Sequence, residues 1–192
     1  MFTGIVQNLG VLKAKKIGKD GATFEIFSSL KSTYFKKGAS ILVDGVCLTV
    51  EAYDKKKCIF RVFLVPETLK RSRFFDVKVG DKFNLEPPIT LNTALSGHIV
   101  SGHVDATGEI ISTNPFRILV PKKYLCFMPE KGSVSINGVS LTIAKTLKNG
   151  IEIALIPETK KSTNLGFLKK GAIVNLEIDL IARYLHALLP KK

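Results

Sequence analysis

The sequence predicts an all-β chain: two small closed barrels in tandem, followed by one helix. Three observations carry this. The chain repeats itself, its apolar residues come in short runs cut by Gly and Asp/Asn turns, and only the last segment has helical periodicity. Val43-Asp44-Gly45-Val46-Cys47-Leu48-Thr49-Val50 returns as Ile136-Asn137-Gly138-Val139-Ser140-Leu141-Thr142-Ile143. Val65-Pro66-Glu67-Thr68 returns as Ile156-Pro157-Glu158-Thr159, and Asn84-Leu85-Glu86 as Asn175-Leu176-Glu177. The opening Gly4-Ile5-Val6 has a counterpart in Gly102-His103-Val104. Two long copies do not make a solenoid. Each unit has about ninety residues, enough to bury a modest core.

Taken in order, the first copy predicts strands over 23–27, 40–43, 48–51, 58–65 and 82–86. The second predicts them over 117–120, 133–136, 141–144, 151–156 and 173–178. Asp44-Gly45 and Asn137-Gly138 suit tight hairpins, whose central residues need positive φ. Lys13-Ala14-Lys15-Lys16 reads as a solvated turn. Closed barrels are favoured over open sheets because small sheets with free edges invite aggregation. From Asp179 the pattern changes: Leu180, Tyr184 and Leu188 recur beside Ile181, Leu185 and Leu189, giving one apolar helical face. Asp179 can cap this helix and Pro190 ends it. Its face packs either on its own barrel or on other copies of the chain. The domain boundaries predicted are 1–97, 98–178 and 179–192.

Composition excludes several classes. No apolar run approaches the ~20 residues that span a bilayer. The start Met-Phe-Thr-Gly carries no secretory leader, and Cys47, Cys58 and Cys126 are too few and too scattered for a disulfide framework. A cytoplasmic location fits. The net charge of +13 comes mostly from lysines dispersed over turns, without the spacing of a nucleic-acid motif. It can instead attract an anionic metabolite or an acidic partner.

The chemistry-bearing residues fall in the repeats. Alternation puts Cys47 and Thr49 on one face of their strand, and Ser140 and Thr142 on one face of its copy. A small buried hydrophobe is the alternative for Cys47. His98 and His103 flank Ile-Val-Ser-Gly, but no third ligand stands at metal-site spacing. Glu67-Thr68 and Glu158-Thr159 follow a strand and a proline and are expected at barrel rims.

Together, Met1-Phe2-Thr3-Gly4-Ile5-Val6, the Gly-Val-Cys-Leu-Thr and Gly-Val-Ser-Leu-Thr pair, Gly97-His98-Ile99-Val100-Ser101-Gly102-His103-Val104-Asp105 and the two Pro-Glu-Thr blocks resemble riboflavin synthase along the whole chain. The resemblance implies two six-stranded antiparallel Greek-key barrels and a C-terminal helix that joins three subunits. It implies a dismutation of two 6,7-dimethyl-8-ribityllumazines into riboflavin and 5-amino-6-(D-ribitylamino)uracil, without metal or organic cofactor. The active site would form between the N-terminal barrel of one subunit and the C-terminal barrel of the next. Lumazine synthase is a candidate partner.

Carried over, one pocket is implied to use Gly4, Ile5, Val6, Ser40, Cys47, Leu48, Thr49, Glu67 and Thr68. The other is implied to use Gly102, His103, Val104, Lys131, Ser140, Leu141, Thr142, Ile156, Glu158 and Thr159. Cys47, with Thr49, would serve nucleophile addition or proton transfer, and His103, Ser140 and Thr142 would handle protons in the partner barrel. A carrier that binds a lumazine or flavin without turning it over is the alternative. Three positions depart from the family pattern: Ala106 replaces the usual glycine, Ser72-Arg73-Phe74-Phe75 replaces Thr-Asn-Leu-Gly, and Asn137 replaces a common aspartate.

Overall fold

The computed structural model describes residues 1–189. Its strands close into two six-stranded antiparallel barrels with one topology. The first contains β1 (Asn8–Gly18), β2 (Gly21–Phe27), β3 (Ser40–Val43), β4 (Val46–Asp54), β5 (Ile59–Leu64) and β6 (Lys82–Glu86), ordered β1-β2-β5-β4-β3-β6 around the ring. The second contains β7 (Ala106–Thr113), β8 (Phe116–Leu119), β9 (Ser133–Ile136), β10 (Val139–Leu147), β11 (Gly150–Ile153) and β12 (Ile173–Ile178), ordered β7-β8-β11-β10-β9-β12.

The two β3–β4-type hairpins turn as their sequences require. Asp44 and Gly45 have φ of 45° and 80°, and Asn137 and Gly138 have 47° and 75°. Each barrel has its own core. Leu12, Phe24, Ile26, Phe60, Val62 and Phe83 fill the first, and Ile110, Ile118, Val134, Ile143, Val174 and Leu176 the second.

The leading strand of each barrel lies outside the predicted runs, for a physical reason. A bulge interrupts β1 between Leu12 and Ala14, and another interrupts β7 between Ile110 and Ser112. A bulge bends a strand so that a barrel can close, and it also breaks the two-residue alternation that marks strands in a sequence. Lys13 and Lys16 face solvent in β1, where the sequence suggested a turn. Two short helices were also not anticipated. α1 (Pro66–Arg71) and α2 (Pro157–Ser162) each begin with proline at the first helical position, where the missing N–H costs nothing.

The terminal helix α3 (Leu180–Leu188) forms as expected, and the Asp179 side chain accepts from the Ile181 N–H at 2.8 Å. The predicted stop at Pro190 lies outside the described residues. Arg183 ties α3 to Asp105 at 2.9 Å, and His186 stacks edgewise on Phe127. Ile181, Tyr184, Leu185 and Leu188 remain exposed. The helix therefore rests on its own barrel by one side and leaves its apolar side open.

The barrels meet around an approximate twofold relation, with the hairpin glycines Gly45 and Gly138 back to back. A polar network surrounds them, buried except for the edge of Arg73. Asp44 accepts from Arg73 at 2.6 Å, from the Asn84 N–H at 2.7 Å and from Asn164 at 2.9 Å. Asn137 accepts from the Asn175 N–H at 2.7 Å, and Asn84 donates to the Asn137 carbonyl at 2.9 Å. Two of the three sequence departures meet here. Arg73 stands where the second copy has Asn164, and Asn137 stands where the first has Asp44, so the single cation serves the single carboxylate.

Candidate functional site

The burial of β4 alternates as expected. Val46, Leu48 and Val50 point into the core, while Cys47 is half-buried and Thr49 exposed on the outer face. Val139, Leu141 and Ile143 likewise leave Ser140 and Thr142 outside in β10. Leu48 and Leu141 are thus core side chains. Ser40 stands opposite Thr49 in the β3–β4 register. Lys131 is exposed at φ 66°, in the turn that leads to β9.

The largest correction concerns the walls of the pockets. Gly4-Ile5-Val6 does not lie beside Cys47, nor Gly102-His103-Val104 beside Ser140. The segments are exchanged. The Gly102 carbonyl accepts from the Cys47 N–H at 2.9 Å, and the Gly4 carbonyl accepts from the Ser140 N–H at 2.8 Å. Val104 packs against the first core and Val6 against the second. The two crossing segments also bond to each other, with Phe2 and Val100 exchanging N–H···O bonds at 2.9 and 3.0 Å. A repeat along the chain suggested local pairing, but the twofold packing carries each leading segment over to the other barrel.

A buried carboxylate holds each crossing segment. Glu86, at the end of β6, accepts from the Thr3 N–H at 2.7 Å, the Thr3 hydroxyl at 2.8 Å and the Gly4 N–H at 2.9 Å. Glu177, near the end of β12, accepts from the Ser101 N–H at 2.6 Å, the Ser101 hydroxyl at 2.7 Å and the Gly102 N–H at 3.0 Å. Burial pushes both carboxyls above the ordinary glutamate value, while these donors pull the other way.

On the first barrel a cavity of about 170 Å3 opens between these parts. It is lined by Val46 and Cys47 from β4, Glu67, Thr68, Arg71 and Ser72 from α1 and its end, and Gly102, His103 and Val104 from the crossing segment. The Glu67–Arg71 pair spans one helical turn at the rim and lowers the Glu67 carboxyl through the Arg71 hydrogen bond and charge. Arg71 was missed in the sequence, although its spacing from Glu67 is that of a helical ion pair. His103 is exposed and belongs to this cavity, not to the Ser140 side.

At Ser140 the surroundings differ. His98 Nδ1 lies 2.6 Å from the Ser140 Oγ, and the His98 Nε2 is buried without a partner. Burial pushes the His98 imidazole below its ordinary value, with Asp179 acting oppositely. α2 presents Ile156, Glu158 and Thr159 at the corresponding rim, with Ile156 and Glu158 exposed.

The lumazine binding domain family matches the chain twice, over residues 3–87 and 101–179. The chain belongs to the riboflavin synthase family of lumazine-binding proteins. It is 39% identical to the riboflavin synthase of Actinobacillus pleuropneumoniae, covering 100% of this chain and 91% of that one. It is 37% identical to that of Mycobacterium tuberculosis, over 98% of both chains. Among solved structures it resembles LumP complexed with 6,7-dimethyl-8-(1'-D-ribityl)lumazine, with a TM-score of 0.79 and 26% identity over 92% of this chain and 98% of that one. LumP complexed with riboflavin gives a TM-score of 0.81 over 93% and 99%. The fold is therefore a lumazine-binding one, and the named full-length relatives are enzymes of riboflavin synthesis. No described helix is long and apolar enough to cross a membrane.

Proposed function

We propose that the chain is a riboflavin synthase, a transferase that moves a four-carbon unit from one 6,7-dimethyl-8-ribityllumazine to another. The products are riboflavin and 5-amino-6-(D-ribitylamino)uracil, and no cofactor takes part. The observation that carries this reading is the doubled site: both barrels keep an outward Cys/Ser-x-Thr strand, a Pro-Glu-Thr helix and an exchanged Gly-x-Val wall. A carrier needs one working pocket, and nothing would maintain the second.

In this reading the first pocket uses Cys47, Thr49, Glu67 and Thr68 with Gly102, His103 and Val104, and Ser40 beside them. The second uses Lys131, Ser140, Thr142, Ile156, Glu158 and Thr159 with Gly4, Ile5 and Val6. The main chain at Leu48 and Leu141 contributes to each. Deprotonation of the C7 methyl of one lumazine puts charge on its pyrimidinedione carbonyls, where main-chain N–H donors stabilise it. Cys47 and His103, now on one cavity, supply nucleophile addition and proton transfer to one molecule, and Ser140 and Thr142 serve the other. Bringing the two ring systems face to face contributes a proximity effect of about 7 kcal/mol or more.

A cavity of about 170 Å3 is smaller than the ~300 Å3 or more typical of small-molecule sites. That suits a half-site whose other face comes from the opposite barrel of a neighbouring subunit. We infer a cytoplasmic homotrimer joined through the exposed side of α3, with 1–97 and 98–178 as the two lumazine-binding units and 179–192 as the assembly element. Lumazine synthase, which would supply the substrate, is a candidate partner.

Purified protein incubated with the lumazine is expected to develop riboflavin absorbance; tight binding without product would favour the carrier. Cys47→Ser is expected to lower turnover by about 100-fold while the thermal transition stays in place. Unchanged turnover would remove Cys47 from the chemistry. Deleting 180–192 is expected to give monomers of low activity by sedimentation, and a fully active trimer would contradict the role given to α3.

A further inference from the structure

Three donors converge on each of two buried carboxylates, and each carboxylate holds a segment whose next carbonyl bonds to the other barrel. Glu177 is 2% exposed and belongs to the second barrel, yet the Gly102 that it holds bonds through its carbonyl to the Cys47 N–H of the first. Glu86 is 4% exposed and belongs to the first barrel, yet the Gly4 that it holds bonds through its carbonyl to the Ser140 N–H of the second. Gly102 is fixed from both sides, its N–H by Glu177 and its carbonyl by the Cys47 N–H; Gly4 is fixed in the same way by Glu86 and Ser140.

We propose that Glu86 and Glu177 are positioning residues acting across the barrel boundary: Glu177 sets the wall of the Cys47 pocket, and Glu86 sets the wall beside Ser140. Neither pocket is then built by one barrel alone, and damage to one barrel's last strand is felt at the other barrel's site. The meaning of this for catalysis rests on the lumazine reading above, but the positioning itself does not.

Glutamine is nearly the shape of glutamate, but its NH2 cannot accept. In Glu177→Gln one of the donors from Ser101 or Gly102 must face another donor, so the crossing segment loses a bond and lifts. The readout is alkylation of Cys47 by iodoacetamide in the full-length chain, quantified by peptide mass mapping so that Cys58 and Cys126 are counted separately. Glu177→Gln is expected to speed Cys47 labelling by about tenfold, through local opening of the Gly102 segment, and Glu86→Gln, which reaches Cys47 only through the Phe2–Val100 contact, to speed it by no more than about threefold. Ser101→Ala, which removes one donor and leaves the carboxylate, is expected to move labelling in the same direction by less, and it covers the case in which Glu177→Gln fails to fold.

Unchanged labelling in both Glu177→Gln and Ser101→Ala would overturn the proposal. So would equal acceleration by Glu86→Gln, which would indicate general loosening. If the labelling pattern holds but the parent binds no lumazine, the positioning stands and the lumazine reading falls. If the parent makes riboflavin and the labelling pattern fails, the reverse is true.

Discussion

Replacing Gly102 by alanine is expected to collapse the Cys47 pocket and lower the thermal midpoint by about 5–15 °C, from a cost of about 2–5 kcal/mol. A Cβ built on Gly102 would lie 2.5 Å from the Cβ of Cys47 and 2.8 Å from its nitrogen, closer than real side-chain carbons come. The same residue has φ +86°, where any L side chain is strained. Neither neighbour can yield cheaply, because Cys47 is held in the β3–β4 ladder and Gly102 is held by Glu177. Gly4→Ala should do the same at Ser140, whose Cβ would lie 2.6 Å away. Gly38 supplies the control. It also has φ +86°, but nothing lies within 4 Å of its added carbon, so Gly38→Ala isolates the strain from the clash. Thermal denaturation of the three variants checks this; equal losses at Gly38 and Gly102 would show that the close approach does not matter.

Arg73→Ala is expected to cost about 3–5 kcal/mol, because it leaves the Asp44 carboxylate buried without its cation. The Asp44 side chain has no exposed surface, and that of Arg73 is 11% exposed. Burial already pushes the Asp44 carboxyl above the ordinary aspartate value, with the Arg73 charge opposing it. Without Arg73 the value rises further. The folded variant then holds a proton that the unfolded chain has released, between the ordinary aspartate value and the raised one, so its stability falls as pH rises through that window. Its deficit in urea unfolding should be larger near pH 7 than near pH 4. Adding Asp44→Asn to Arg73→Asn gives the first copy the amide pair that the second already has in Asn137 and Asn164, and most of the loss should return. A double variant as weak as Arg73→Ala, or a deficit independent of pH, would contradict the charge account.

Much of the framework could be read from residues alone. The hairpins at Asp44-Gly45 and Asn137-Gly138, the strands over Ser40–Val43, Lys82–Glu86, Ser133–Ile136 and Ile173–Ile178, and the outward face of Cys47 and Ser140 all follow from turn chemistry and alternation. β1 and β7 were hidden because a bulge resets their alternation and each buries few large side chains. The exchange of Gly4–Val6 and Gly102–Val104 between barrels was hidden for a different reason. A repeat fixes which residues correspond, not which copy they touch. Only the twofold packing decides that, through Phe2 against Val100 and the bonds to Glu86 and Glu177. Arg73 and Asn137 looked like two separate departures, and their connection appears only when Asp44 is seen between the barrels.

The central claim is that two equivalent lumazines meet and one takes four carbons from the other. Its most direct test is the mass balance of the purified chain acting on 6,7-dimethyl-8-ribityllumazine alone, followed by chromatography. The account predicts two lumazines consumed for each riboflavin formed, with one 5-amino-6-(D-ribitylamino)uracil released beside it. Lumazine that stays bound and unchanged, or riboflavin appearing without an equal amount of the pyrimidine, would contradict it.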